Sequence, residues 1–262
     1  MTCLPHPGRV DCSLCYGRQP ITFDQTRRTD GDWRITANPL AWGNPNAEVI
    51  LLGFSKGPSQ AGALAGTPHE LIAFKGRRLE VGKILAHVGL IPKQEPEGLK
   101  RMVDKLIGDK TGRFHFGSLI RCTVERRDRR TGEWKGSGGG MLDRFVATPF
   151  GQEVAGRCAM RFLGFLPATT KLVIMFGLGT RGNYVREVLK LVQRARPGQW
   201  RQVNEVSHTD GRVTLVHVEH FAAQGALLPN WLGETGHPRS QLGILAREGV
   251  QHALGCQTHA YA

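Results

Sequence analysis

The residues of this chain best equipped for chemistry gather just after four short apolar runs. The first run, Ala47 to Phe54, passes into Gly53-Phe54-Ser55-Lys56-Gly57-Pro58, a glycine-bracketed turn that lets backbone approach a ligand closely. The second, Phe114 to Ile120, carries Ser118 and is followed by Arg121 and Cys122. The third, Lys171 to Gly177, opens into Gly177-Leu178-Gly179-Thr180. The fourth, Val213 to His220, closes on His217-Val218-Glu219-His220 and the small pair Ala222-Ala223. Hydroxyls, a histidine pair and glycine turns can together hold a polar ligand and move or share its protons. Nucleotide hydrolysis is a poor fit, because Lys56 precedes the second glycine and no Gly-Lys-Ser/Thr follows.

Positioning these groups requires a sheet. The four runs are rich in β-branched residues and read as buried strands. Between and after them, apolar residues recur at three-to-four spacing over Leu79 to Leu90, Leu99 to Ile107, Glu153 to Leu166, Tyr184 to Val192 and Gln241 to Leu254, which predicts helices. Strands alternating with helices imply right-handed crossovers, so the expected fold is α/β: a three-layer αβα sandwich with a four-stranded, mainly parallel central sheet. Ligands of such sheets sit beyond the carboxyl ends of the strands, where the polar groups collect here. Residues 1–262 are expected to form one domain. Two segments interrupt its pattern: an amino-terminal arm over 1–40, and a basic, glycine-rich insertion over 123–150. The insertion contains Arg126 to Gly140, with its Arg-Arg-Asp-Arg-Arg run, and both segments are expected to be surface loops.

Charge narrows the partner. Thirty-five Lys and Arg against 22 Asp and Glu leave a formal charge of +13, which favours a polyanion, nucleic acid before others. The run Arg126 to Arg130, close to a strand end, reads either as a solvated cluster or as a phosphate contact. No run approaches the roughly 18 apolar residues of a membrane span, and the first residues lack a secretory layout. A monomer in the bacterial cytosol and nucleoid, away from membranes, is the expectation. Its six cysteines then read as thiols or metal ligands rather than disulfides.

In order and spacing the strand-end motifs resemble the uracil-DNA glycosylase superfamily, most closely its bacterial iron–sulfur branch, family four. That branch has a strand leading into Gly-Glu-Ala-Pro-Gly, a Phe-Val-Gly-Arg segment, and a helix ending Ile-Gly-Leu. Here Asn44 to Gly57, Phe74-Lys75-Gly76-Arg77, and Leu79 to Leu90 ending His-Val-Gly-Leu follow in the same order. Ser118-Leu119-Ile120-Arg121-Cys122 matches the next motif with Ser in place of Asn. Cys158 through Leu166-Pro167 to Phe176-Gly177 matches the one after it. The family's final His-Pro-Ser is matched by its histidine alone, in His220-Phe221-Ala222. The resemblance spans Cys12 to about His220.

The resemblance implies an enzyme that flips a deaminated base out of DNA and hydrolyses its N-glycosidic bond in base excision repair. It implies that Phe74 stacks on the base, with Phe54 and Ser118 also touching it. His220, preferred to His217 because it ends its strand, donates to the departing base, where negative charge develops. Ser55 stands where several branches carry a water-positioning or water-activating Asp, Asn or Glu. A hydroxyl can position water but hardly deprotonate it, which leaves leaving-group stabilisation or a carboxylate elsewhere, Glu70 or Glu219. Serine at 118 reads a base edge less strictly than an amide does, so hypoxanthine joins uracil as a candidate. Lys56, Arg121 and Gln224 are expected to contact DNA, with Gln224 and Leu227 as wedge candidates by position. Cys12, Cys15, Cys122 and Cys158 fall where the branch's four cluster ligands fall, so a [4Fe–4S] cluster is expected, with zinc or no metal as alternatives. Two other readings stay open: a catalytically silent relative that binds damaged DNA, and an unrelated zinc-bearing nucleic-acid module.

Overall fold

The four apolar runs bury both of their faces, and for that reason they are continuous in sequence rather than alternating. The protein is described by a computed structural model covering residues 4–255 apart from 18–19, 58–59, 61–63, 65, 137–140, 180–182 and 224. In chain order its strands are β1 (Gly8–Arg9), β2 (Arg27–Asp30), β3 (Trp33–Thr36), β4 (Leu40–Gly43), β5 (Val49–Gly53), β6 (Phe114–Ser118), β7 (Thr123–Arg127), β8 (Trp134–Gly136), β9 (Leu172–Phe176), β10 (Arg201–Asn204), β11 (Ser207–Thr209) and β12 (Thr214–Val218). Its helices are α1 (His69–Ile72), α2 (Arg78–His87), α3 (Pro96–Gly108), α4 (Met141–Val146), α5 (Pro149–Leu163), α6 (Asn183–Ala195), α7 (Leu227–Leu232) and α8 (Ser240–Leu254). No helix among the described residues is long and apolar enough to cross a membrane.

The larger sheet has the order β1-β4-β6-β5-β9-β12-β11-β10. Its middle strands β6, β5, β9 and β12 are parallel neighbours, with Leu51 beside both Phe116 and Ile174, and Ile174 beside Val216. Ile50, Leu52, Val173, Met175 and Leu215 face one layer, against Phe145 of α4, Val154 of α5 and Val188 of α6. Val49, Leu51, Leu172, Ile174 and Val216 face the other, against Ile84 of α2, Val103 of α3 and Ala246 of α8. This is the three-layer α/β sandwich. Helix starts follow local chemistry: Pro149 opens α5 while the Thr148 side chain accepts the Gly151 amide at 3.0 Å.

The sheet is wider than four strands. Antiparallel β4 and β1 extend it at one edge and the β11–β10 hairpin at the other, segments of two to four residues that are too short to announce themselves by periodicity. The arm and the insertion are not simply loops either. They supply a second, antiparallel sheet, β2-β3-β7-β8. Trp33 and Ile35 bury their side chains in it. Between them Arg34 pairs in register with Glu125, its guanidinium forking onto the carboxylate at 2.8 and 2.9 Å.

Candidate functional site at the strand ends

Parallel pairing brings the carboxyl ends of the four central strands to one edge. Gly53 of β5 lies in register with Ser118 of β6, and the chains run on together, Leu119 and Ile120 donating to the carbonyls of Gly53 and Phe54 at 2.8 and 2.9 Å. On the other side Phe176 of β9 lies in register with Val218 of β12, and Gly177 donates to the Val218 carbonyl at 2.9 Å. Ser55 and Ser118 are half-buried at this edge. Ser118 and the end of β12 are three strand spacings apart, roughly 14 Å at about 4.8 Å each.

The two histidines do different things. His217 is wholly buried on the α6 side of the sheet; its Nδ1–H donates to the Gly177 carbonyl at 2.9 Å and the Tyr184 ring meets it edge-on. Burial pushes its pKa down to about 4. Gly177 makes this packing possible, since at φ +122° a side chain is strained and a Cβ would stand 3.0 Å from the Tyr184 ring. His220 follows β12 in a tight turn closed by the Ala223 amide on the His220 carbonyl at 2.8 Å. Its Nδ1 accepts the Ala222 amide at 3.1 Å, which puts the proton of the neutral ring on Nε2. Burial lowers its pKa, so that tautomer is the resting form at neutral pH.

Glu219 anchors the turn. One oxygen accepts the His220 amide at 2.9 Å and the other the Arg239 guanidinium at 2.6 Å, with the carboxylate only 4% exposed. Both oxygens are engaged in holding backbone and cation, so it is not a free base for water. Glu70 is exposed on α1.

Phe74 adopts a left-handed backbone, φ +52°, unusual for a bulky residue. Its ring packs edge-on against Phe116, Phe176 and Phe221 at centroid separations of 6.0, 5.7 and 5.0 Å. Phe221, half-buried, also stacks on His220 at 4.4 Å and 26°. Phe221 stands where the resemblance has Pro, so the motif match alone assigns it no role. An aromatic beside a strand-end histidine was the signal available for it.

Three expectations need correction. Phe54 turns into the core, edge-on to Phe145 at 6.3 Å, and does not face the strand-end space. Lys56 and Arg121 are each only 2% exposed and cannot meet a DNA backbone there. Lys56 donates to the Arg121 carbonyl, and burial lowers its pKa to about 8. The Arg121 guanidinium reaches the Leu40 carbonyl and His115 Nε2, both at 3.3 Å, and lies over Phe162. Gly117 leaves it room, for a Cβ there would stand 2.0 Å from Arg121 Nη1. Gln224 lies outside the described residues; Leu227 opens α7. The basic run of the insertion is engaged partly by the arm and partly by its own loop: Arg129 pairs with Asp32, Arg126 lies over Trp33, and Arg127 donates to the Gly132 carbonyl at 3.3 Å.

The four cysteines come from three places: Cys12 and Cys15 from the arm, Cys122 after β6, and Cys158 on α5. All are free thiols, the last three buried. Burial, then the neighbouring Cys122 and Cys12, pushes Cys15 up to about 12; burial, then Cys122 and Cys15, pushes Cys158 up. The thiols are thus close enough to oppose one another's ionisation. Lys56 pulls Cys122 the other way. Among the described residues no three His, Cys, Asp or Glu side chains are already set around a single ion. The donor chemistry, four soft sulfurs beside buried Lys56 and Arg121, suits an anionic thiolate-bound cluster.

No family model matches the chain, and no curated protein is detectably similar to it in sequence. Among solved structures it is similar to wild-type SMUG2 of Pedobacter heparinus, at a TM-score of 0.37 and 9% identity over 80% of this chain and 77% of that one. A likeness that loose carries no residue roles from one protein to the other.

Proposed function

We propose that this chain is a DNA glycosylase that excises uracil or another deaminated base by flipping it out and hydrolysing its N-glycosidic bond. The observation that carries the reading is His220, a neutral strand-end imidazole whose Nδ1 is held as an acceptor, leaving Nε2–H to donate. As the bond between C1′ and the base breaks, its electron pair leaves with the base, and a fixed donor at a base oxygen stabilises that charge. Water then forms the new bond to C1′ and releases its proton. With Glu219 engaged on both oxygens, and Ser55 able only to orient water, the rate rests on the leaving group. The charge of +13 supports DNA as partner. The protein acts as a cytosolic monomer in this reading.

The cysteine set is part of the proposal. Cys12, Cys15, Cys122 and Cys158 would hold a [4Fe–4S] cluster, whose contribution is structural: it ties the arm and the segment after β6 to α5. A freshly purified sample with neither iron nor absorbance near roughly 400 nm would remove the cluster.

Incubation with DNA containing uracil, hypoxanthine or xanthine, followed by alkali to break abasic sites, tests excision. Strand breaks are expected with at least one substrate, and none with any would sink the claim. The engagement of Glu219 favours one second reading, a silent relative that binds damaged DNA. It predicts retention of the lesion-bearing strand without breaks.

A further inference from the structure

A hollow of about 510 Å³ lies on the outer surface of α5, bounded by Arg194 of α6 and by Leu14 of the arm. Its lining is strongly one-sided in charge. Arg157, Arg161 and Arg194 converge on it, and Glu153 is its one carboxylate. That carboxylate is already taken, by the Arg28 fork at 2.7 and 2.8 Å and by Arg157 at 3.1 Å. Arg161 and Arg194 are exposed, and among the described residues neither is ion-paired. Three guanidiniums around one hollow repel each other, and Arg157 and Arg161 at i,i+4 do so directly. An anion relieves that repulsion, and the guanidinium fork fits phosphate oxygens.

The hollow also has apolar walls. Leu14 and Met160 are half exposed, at 50% and 51%, although both are large hydrophobics. A free phosphate ion has no use for them, whereas a nucleic-acid strand presents sugar and base faces between its phosphates. Guanidiniums one helical turn apart can take successive phosphates.

The two guanidiniums of the hollow that carry no ion pair are set apart from the strand ends by their place in the fold. Arg161 and Arg194 sit in the last turns of α5 and α6. Only residues 164–171 connect α5 to the start of β9, so these last turns lie at the amino-terminal edge of the parallel strands. The strand-end site is a full strand away, about 17 Å for five residues.

We propose that this hollow is a second nucleic-acid contact, where Arg157, Arg161 and Arg194 take the phosphates of a lesion-free stretch of DNA. It rests on nucleic acid as the partner, and not on cleavage. The test is equilibrium binding of a lesion-free 20-mer duplex across a salt series, so excision plays no part in the readout. Arg161→Ala/Arg194→Ala is expected to weaken binding about tenfold and to flatten the slope of log K against log salt by roughly 1.8, at about 0.9 per lost contact. Lys93→Ala/Lys110→Ala removes the same charge from exposed positions elsewhere and is expected to leave the slope unchanged. Arg161→Lys/Arg194→Lys keeps the charge and is expected to keep the slope, which guards against misfolding. The proposal is overturned by an unchanged slope in the alanine pair, by an equal loss in the lysine control, or by arginine-dependent binding of a polyglutamate peptide with no effect on DNA. The last outcome would make the hollow a site for an acidic protein segment. Loss of base excision alone bears only on the strand-end site.

Discussion

Replacing His217 by leucine should change how the protein's stability responds to acid. His217 is wholly buried, and burial, with His208 acting in the same direction, pushes its pKa from an ordinary 6.5 to about 4 against the opposing Gly177 carbonyl. In the unfolded chain the imidazole binds its proton near pH 6.5. Between there and about pH 4 the unfolded state therefore holds a proton that the folded state lacks. The stability tied to this group is fully present above pH 6.5 and is lost as pH falls toward 4. That window of roughly 2.5 pH units, at about 1.36 kcal/mol each, amounts to about 3 kcal/mol. Leucine abolishes the titration. It also removes the donor to the Gly177 carbonyl, which costs about 1–3 kcal/mol at neutral pH. Urea unfolding of both proteins at several pH values gives the measurement. The wild type should lead by about 1–3 kcal/mol at about pH 7.5 and lose about 3 kcal/mol relative to the leucine variant by about pH 4, where the variant is level or ahead. A gap that stays constant across the series would refute the reasoning, because His217 would then not be a buried neutral imidazole.

Further outcomes follow from the strand-end turn and its support. His220→Ala should slow excision about 10²–10³-fold, measured in single turnover, with thermal stability nearly unchanged; equal rates would make it the wrong donor. Because its pKa is lowered, the wild-type rate should not rise as pH drops from about 8 to about 6.5, and a rise would require the imidazolium form instead. Arg239→Met leaves the Glu219 carboxylate uncompensated in a buried setting and should cost about 3–5 kcal/mol in urea unfolding, with excision reduced as the turn loosens. Phe54→Ala should cost about 3–5 kcal/mol of stability as a core deletion, and a stable but inactive variant would restore Phe54 to the base site.

The central strands were legible because burial on both faces forces uninterrupted apolar runs, and the main helices because one buried face forces a three-to-four spacing. The β10–β11 hairpin and the β2-β3-β7-β8 sheet were not. Arg27 to Asp30 carries no apolar alternation and is a strand only because β3 lies beside it. Trp33-Arg34-Ile35 does alternate, but its partner Glu125 is 91 positions away, and no local pattern announces that pairing.

Residue type and order by themselves determined the α/β layering, the edge at which polar groups gather, and an excess of positive charge suited to a polyanion. Tertiary structure decided which of those groups are available. Lys56 and Arg121 look like surface cations in sequence, yet the chain leaving β6 runs alongside the chain leaving β5 and encloses both beside the cysteines. His217 and His220 are equivalent as residue types, three positions apart. A strand points one into the core while a turn holds the other with a fixed proton. Side-chain direction and burial depend on what packs alongside, and those neighbours are distant in sequence.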